Sequence, residues 1–597
     1  MLFKIFMIEF IIISIHFVPS VLLISDCENV TKRLEQFDTE FQSMWWLRQS
    51  ADWNYSTNVS KATTSARQFA SVLYSDWMKD WKLWARQLSC EDLPSDEKQI
   101  VKIMASGVVF MNSYNARLIT ELKSYLTEIY TSANIALPEL NGTAQGESEV
   151  ISLVEHLRNP DILKKVWKSW RKQVGEKGKS SFLQLMQLTN KEAQENGYTD
   201  IGETWKEELG LDDVISEVLV LWDEVKDFYK ELHAYVKHKL RLYYGDKHVG
   251  VNPWIPAHLL VNLWGENWSG LSDVLLPYPE TSTNVTAVLL SKGFSVIDLI
   301  RKAEEFYTTM GLDSMKPKFW SKSMFVKPTD GRFVDCHAVS YDFALGEDYR
   351  MRVCAEVKEQ SFLEAVHEMG HIQYFMAYHK LPMIYRNGAN SAFHEAIGET
   401  MVYAAQSPKC LQKLNLRSAD MPKELLENIL MKQALSKFVL LPWALTIEIW
   451  RYGLFAGEIK EEDMMIAWWE LRKQFQGIEP PDIESASLFD PGSKYHVLLH
   501  IPYMRYFLSR FLEHQFLEAM CRFAGEDLHS CCFITSKEGG KRLKFMLSLG
   551  ASVSWKDALE VLTGQRKLST KPLLNYYEPL YKWLIDYNRN NNISVNW

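Results

Sequence analysis

Apolar residues recur at helical spacing through most of the chain. From Ser295 to Gly311, Val296, Leu299, Ile300, Ala303, Phe306, Tyr307 and Met310 fall on one face. Ser295 and Asp298 suit a capping box at its start, and Gly311 suits a stop, so the pattern predicts an amphipathic helix there. The same period runs through Leu221, Val225, Phe228, Leu232, Tyr235 and Leu240 until Gly245. It returns from Gln99 to Tyr130, from Phe362 to Ala377 and from Met421 to Tyr452. Alternating strand patterns are few and short. The longest loop-like stretch is Asn134 to Ser148, with Pro138, Asn141, Gly142 and Gly146, and composition hardly changes across it. These patterns predict a mostly α protein built as one large domain.

Composition supports a large core: of 597 residues, 47% are apolar and 24% charged, which excludes disorder, collagen and low-complexity repeats. Asp and Glu outnumber Lys and Arg by 75 to 66, and the net charge of −9 offers nucleic acid no electrostatic footprint. The 21 tryptophans read as core and cleft walls. Residues 1–25 read as a signal peptide, with Lys4 early, an apolar run from Ile11 to Ile24 and small residues at Ser20 and Ser25. An uncleaved signal anchor is the alternative. The mature domain is then 26–597, and no second membrane-length run follows, so a secreted chain without a stable membrane anchor is expected. Sequons at Asn29, Asn54, Asn58, Asn141, Asn267, Asn284 and Asn592 agree with the secretory route.

Eight cysteines can only staple a core of this size locally. Spacing selects Cys336 with Cys354, and Cys521 with Cys531 or its neighbour Cys532. Cys27, Cys90, Cys410 and one of Cys531 and Cys532 are left over and are expected as buried free thiols.

His367-Glu368-Met369-Gly370-His371 is an H-E-x-x-H match inside one of the helical stretches. A spacing of four puts both imidazoles on one helical face, where they can share a Zn²⁺ with Glu368 beside the metal-bound water. The bland alternative is a helix with two hydrogen-bonded histidines. A catalytic zinc also needs a third protein ligand and an open position for water. His394-Glu395-Ala396-Ile397-Gly398-Glu399 supplies Glu395 as that ligand, and Glu399 one turn on to accept a hydrogen bond from a ligand imidazole. The apolar flank of Ala392, Phe393, Ala396, Ile397 and Met401 argues against a solvated acidic face.

The run His367 to Phe375 (HEMGHIQYF), Gly388-Ala389-Asn390 and Phe393 to Gly398 (FHEAIG) resembles the angiotensin-converting enzyme family of zinc peptidyl dipeptidases, most closely single-domain secreted forms such as those of insects. The resemblance extends from about residue 30 to Trp597 and includes Lys327 to Arg332 (KPTDGR), Cys336 to Ala338 (CHA) and Gln476-Gly477-Ile478. It implies two helical halves around a deep active-site cleft. It implies His367, His371 and Glu395 as zinc ligands and Glu368 as general base, later passing its proton to the leaving amine. His496 and Tyr506 match the donors to the oxyanion, and His337 and Ala338 the contacts to substrate backbone. Lys494 and Tyr503 match a clamp on the substrate's C-terminal carboxylate. Pro502 would suit a helix start that sets Tyr503 and Tyr506 on one face. Arg171, Trp468 and Arg472 match one chloride site and Arg505 part of a second, where Leu209 replaces the usual Tyr; pairing of these arginines with acidic side chains is the open alternative.

The resemblance also exposes departures. Glu266 stands where Gln is typical, an acid in an anion clamp that would pair with Lys494 or repel the substrate's carboxylate. More tolerance of amidated or longer C-terminal ends is expected from it. Glu399 replaces Asp, which keeps the carboxylate with a longer reach. The family's first disulfide has no counterpart near Asn134 to Ser148, which should loosen that loop. The expected function is dipeptide release from the C-termini of short peptides by a monomeric enzyme. A carboxypeptidase releasing single residues, or a catalytically silent peptide-binding homologue, are the alternatives.

Overall fold

The computed structural model describes residues 27–597 except 91, 111, 138–141, 282–283, 418–422 and 596. The expected signal peptide at 1–25 and the sequon at Asn141 lie outside the described residues. Nine of the longer helices organise the rest: α1 (Val30–Thr57), α2 (Lys61–Gln87), α3 (Val214–Tyr244), α4 (Val296–Thr309), α5 (Glu359–Tyr378), α6 (Ser391–Gln406), α7 (Leu440–Phe455), α8 (Met504–Ala524) and α9 (Lys571–Asn590). Strands are confined to three two-stranded ribbons. β1 (Asn134–Leu137) and β2 (Gly142–Gln145) are antiparallel, β3 (Ile255–Pro256) runs parallel to β6 (Ile478–Glu479), and β4 (Val339–Asp342) pairs with β5 (Tyr349–Arg352) with Val339 opposite Arg352.

The helical pattern is realised where its punctuation is strongest. In α4 the Ser295 hydroxyl accepts from the Asp298 N–H at 3.2 Å while the Asp298 carboxylate accepts from the Ser295 N–H at 2.9 Å, the reciprocal cap expected from the pair. Leu299, Ile300, Ala303, Phe306 and Tyr307 are buried on one face. All six residues that marked α3 are buried, and Gly245 ends it with φ +80°. The stretch from Gln99 to Tyr130 is instead two helices, Ser95–Ala105 and Ser113–Ser132, with the Asn112 side chain capping the second through the Tyr114 and Asn115 N–H groups. The stretch ending at Tyr452 is broken by a π-helical turn at Ala434–Phe438. The region read as a loop from Asn134 is the β1–β2 hairpin followed by a helix, Gly146–His156. Backbone pairing therefore orders both sides of the segment without a disulfide.

One hydrophobic core runs through the chain from Ile119 to Leu584. A smaller one, including Val30, Phe37, Phe41 and Trp81, joins α1 to α2. Trp170, Trp264, Trp268, Trp443, Trp450 and Trp468 are fully buried, so much of the tryptophan content is core. The expectation that no second membrane-length run follows is corrected: the segment 424–455 is long and apolar enough to cross a membrane, though its most apolar window is 89% buried inside the protein, as a core helix would be.

The expectation of leftover thiols is corrected. All eight cysteines are paired, as Cys27–Cys90, Cys336–Cys354, Cys410–Cys532 and Cys521–Cys531. The two unforeseen bridges join residues 63 and 122 positions apart, distances at which local spacing carries no information. Of the local pairs that spacing selected, Cys336–Cys354 forms as expected, and Cys521 takes Cys531 of its two open partners while Cys532 goes to Cys410.

Candidate metal centre and active site

α5 carries His367, Glu368 and His371, and it packs face to face with α6, which carries Glu395 and Glu399. Two glycines permit that approach. A Cβ on Gly398 would lie 2.7 Å from Cε1 and Nδ1 of His367, and one on Gly370 would lie 3.2 Å from the Gly398 Cα. The helices thus meet at the metal motif itself, and Gly370 is the fourth residue of H-E-M-G-H. α8 closes the other side of α6, with the Thr400 hydroxyl donating to the Glu513 carbonyl at 3.1 Å.

Ligand atoms of His367, His371 and Glu395 all lie within 4.8 Å of one another. The two Nε2 atoms face each other at 3.1 Å, and Glu395 Oε2 is 3.7 Å from His367 Nε2. Two imidazole nitrogens and a carboxylate oxygen converging in this way fit a zinc ion, whose charge satisfies nitrogens that otherwise compete for a proton. Burial alone would lower the His367 pKa, but the neighbouring carboxylates, Glu395 first and then Glu399 and Glu368, hold the ring up to about 9. Burial would raise Glu395, yet His367, His371 and Arg505 keep it well below the usual carboxylate range. The triad therefore has strong electrostatic demand for a cation.

Glu368 is buried beside the triad and is oriented by a residue that sequence reasoning missed. The Ser340 hydroxyl, on β4, lies 2.8 Å from both Glu368 Oε2 and the Glu368 carbonyl oxygen. Glu399 Oε1 stands 4.0 Å from His367 Nδ1, too far for the hydrogen bond its position suggested. That oxygen instead accepts from Lys437 at 2.6 Å and pairs with Arg510 at 3.5 Å, and the two cations outweigh burial to keep Glu399 ionised. Its longer reach is spent on Lys437, leaving a charge near the ligand imidazole rather than a direct bond.

His496 and Tyr506 are brought together, with Nε2 and the hydroxyl 3.4 Å apart. Burial, and then Lys494, Arg505 and Arg451, push the His496 pKa well down, so its imidazole is neutral. Burial raises the Tyr506 phenol against the opposing Arg505 charge, with Glu395 adding to the rise, so its proton is retained. Both are neutral, and Glu395 bears on Tyr506. The segment from His496 to the start of α8, the helix that carries Tyr506, is bracketed by a pair on α7 that sequence reasoning also missed. Glu448 Oε1 accepts from the N–H groups of Tyr503 and Met504, at the start of α8, and from Arg451 Nη2 at 2.7 Å. Arg451 Nη1 donates to the carbonyls of Ile501 at 2.8 Å and His496 at 3.2 Å. A charged pair three residues apart inside the apolar run Leu440–Phe455 was the available signal. α8 begins at Met504, two residues after Pro502.

Glu266, Lys494 and Tyr503 also converge, joined by a 2.5 Å ion pair and a 2.8 Å hydroxyl–carboxylate bond. Of the two outcomes left open for Glu266, the structure shows pairing. His337 is exposed and Ala338 half-buried at the entry to β4, next to the Cys336–Cys354 bridge, with the His337 carbonyl accepting from Arg352 Nη2 at 3.1 Å. His337 stands close enough to bear on both Glu147 and His496, which ties this strand to the same site.

Arg171, Trp468 and Arg472 come together around Asp490. Arg171 and Arg472 pair with its two oxygens at 2.8 and 2.9 Å, and Trp468 Nε1 donates at 2.7 Å. Burial lowers Arg171 to about 10, opposed by Asp490. The acidic partner left open by the sequence is thus Asp490. Arg505 lies over the Tyr506 ring at 5.2 Å, and Leu209 is buried with its carbonyl accepting from Asn390 at 3.2 Å.

Comparison with known proteins agrees with this arrangement. A family model described as Angiotensin-converting enzyme matches residues 24–597. The rabbit (Oryctolagus cuniculus) angiotensin-converting enzyme is 35% identical over 587 residues, covering 96% of this chain and 44% of the relative. The angiotensin-converting enzyme of the fly Haematobia irritans exigua is 31% identical over 570 residues, covering 93% of both chains. The mouse angiotensin-converting enzyme-like protein Ace3 is 34% identical, covering 92% of this chain and 75% of the relative. The chain spans less than half the length of the mammalian angiotensin-converting enzymes, but nearly all of the fly protein. With a family match across almost every residue and a relative of like length above 30% identity, the chain belongs to the angiotensin-converting enzyme family.

Proposed function

We propose that this chain is a secreted zinc peptidase that hydrolyses short peptides near their C-terminal end and releases a dipeptide. The observation that carries the reading is the convergence of His367, His371 and Glu395 within 4.8 Å, with Glu368 buried beside them. A zinc ion held by those three residues would supply Lewis-acid polarisation of the scissile carbonyl and a more acidic attacking water. Glu368, held by Ser340, takes the proton of the attacking water and carries it to the leaving amine. His496 and Tyr506, both neutral, donate to the oxygen on which negative charge grows. His337 and Ala338, at the entry to β4, hold substrate backbone in extended form. Lys494 and Tyr503 receive the C-terminal end of the peptide within the cleft between the helical halves.

Residues 26–597 act as this peptidase unit, and four disulfides support an oxidising, extracellular setting for it. Two guanidiniums on the single Asp490 carboxylate leave one unit of positive charge, which supports a chloride beside Arg171, Trp468 and Arg472. The test is hydrolysis of a short N-blocked peptide read by product mass, with zinc content measured on the same preparation. Loss of a dipeptide that stops with chelator or in Glu368→Ala is expected. Loss of a single residue would replace the reading with a carboxypeptidase, and a zinc-loaded protein inert on all peptides would replace it with a binding homologue.

A further inference from the structure

Lys494, Tyr503 and Glu266 form a closed set. Lys494 Nζ lies 2.5 Å from Glu266 Oε1, and the Tyr503 hydroxyl donates to Glu266 Oε2 at 2.8 Å. Both oxygens of Glu266 are taken by the very groups assigned above to the end of the peptide. The side chains are 8% exposed at Lys494 and 14% at Glu266, so water screens the pair weakly.

The position of Glu266 is built into the backbone. Asn262 Oδ1 accepts from the N–H groups of Trp264, Gly265 and Glu266 at 3.0, 2.8 and 3.2 Å, and Gly265 takes φ +74° within that turn. Lys494 is held from the other side by the Trp264 ring, 3.9 Å from its centroid. A second acid stands near. Glu147 is half-buried; burial and Glu266 raise its pKa, while Lys494 and His337 oppose the rise.

The Lys494 ammonium is therefore held by Glu266, with Glu147 nearby. A peptide carboxylate arriving here meets a cation already neutralised and the like charge of Glu266, which disfavours it. An uncharged carboxamide meets a complementary set: its NH₂ donates to Glu266 or Glu147, and its oxygen accepts from Lys494 or Tyr503. We propose that Glu266 stands in for the substrate's terminal carboxylate, so that this site selects short peptides ending in a C-terminal carboxamide over the same peptides ending in a free acid. The inference rests on the peptidase reading above.

The test uses one N-blocked peptide sequence in two forms, free acid and C-terminal amide, with the zinc-loaded full chain and with Glu266→Gln. For the unaltered protein, kcat/KM for the amide should exceed that for the acid by roughly tenfold or more. In Glu266→Gln, which removes the charge and keeps the shape, that ratio should fall by at least about tenfold through a gain on the acid. A preference of the unaltered protein for the acid would overturn the inference while leaving the peptidase reading intact, and it needs no variant to fold. An unchanged ratio in zinc-loaded Glu266→Gln would overturn it as well. Failure of both proteins to cut either form would overturn the peptidase reading and this inference with it.

Discussion

The Glu448–Arg451 bracket predicts that a substitution outside the metal centre slows turnover without loss of metal. Both side chains are fully buried, and between them they fix both ends of the loop from His496 to Met504. Glu448→Gln keeps an amide oxygen for the N–H groups of Tyr503 and Met504 but removes the charge opposite Arg451. Removing one charge of a buried pair costs roughly 3–5 kcal/mol. Arg451 keeps its two carbonyl partners, so the lower end, about 3 kcal/mol, is expected. Part of this appears as global destabilisation and part as loosening of the loop that aims His496 and Tyr506. If half of it falls on the transition state, about 1.5 kcal/mol, kcat drops roughly tenfold. KM should move less, because Glu448 and Arg451 act through the donors and not on the peptide. Zinc content should be unchanged, since none of the hydrogen bonds of Glu448 or Arg451 described above goes to His367, His371 or Glu395. The assay is kcat and KM with zinc content and a thermal melt on each variant. Glu448→Gln combined with Arg451→Met separates the roles: replacing the whole pair by less polar groups should restore much of the melting temperature. It should not restore kcat, because methionine offers no donor to the His496 carbonyl. A zinc-replete Glu448→Gln protein with unaltered kcat, or a double variant that regains kcat with its stability, would refute the bracket.

Further predictions follow from single contacts. Gly398→Ala places a methyl 2.7 Å from the His367 ring and should weaken zinc binding by roughly 10–100-fold in a competitive chelator titration; unchanged affinity would show that α6 yields easily. Removal of zinc should lower the melting temperature, by the equivalent of about 4 kcal/mol where free zinc had stood a thousandfold above its Kd, and an unshifted melt would count against the triad. Burial raises Asp342 to about 6 against the Ala344 N–H bond and the Arg386 charge. The native state then binds more protons than the unfolded one between the ordinary aspartate value of 3.8 and about 6, so this group's contribution to stability is lost as pH rises through that window. Asp342→Asn keeps an acceptor for Ala344 and should stabilise by roughly 1–3 kcal/mol above pH 6, with the gain vanishing below about pH 4 in melts across pH. Exchanging acetate for chloride at constant ionic strength should raise peptidase activity, and Arg472→Gln should blunt the response; equal rates in both salts would remove the anion from the Asp490 cluster.

What the sequence disclosed and what it hid divide by distance along the chain. His367 and His371 are one turn apart, so helical spacing put both on one face; Glu395 was legible only as the downstream carboxylate that a third ligand position required, and the packing that brings its helix against α5 was not. The cap of α4 and the stop of α3 at Gly245 were legible for the same reason: each is a bond or a backbone angle within a few residues. Cys27–Cys90, Cys410–Cys532 and the contact between Lys494 and Glu266 span 63, 122 and 228 residues. No local period encodes such pairs, and only the resemblance brought Glu266 and Lys494 together. The hairpin at Asn134 was hidden differently, because strands of four residues leave too short an alternation to rise above loop composition.

The residues that escaped notice share a physical type, and that type bears on how the site works. Glu448, Arg451 and Asp490 are buried and Ser340 and Lys437 half-buried, and each has its charge or hydroxyl matched by a named partner. A core can retain such groups only when they are satisfied, since an unpaired charge there costs several kcal/mol. Glu266 and Asp490 follow this rule at positions where an external anion was expected, each engaging the cations with its own carboxylate. The two differ in their balance. At Asp490 two arginines face one acid, so positive charge is left for an anion; at Glu266 one lysine faces one acid with Glu147 nearby, and none is left. The same count of charges that supports chloride at the first site argues against a peptide carboxylate at the second, which makes the acid-against-amide comparison and the chloride titration two independent readings of one electrostatic argument.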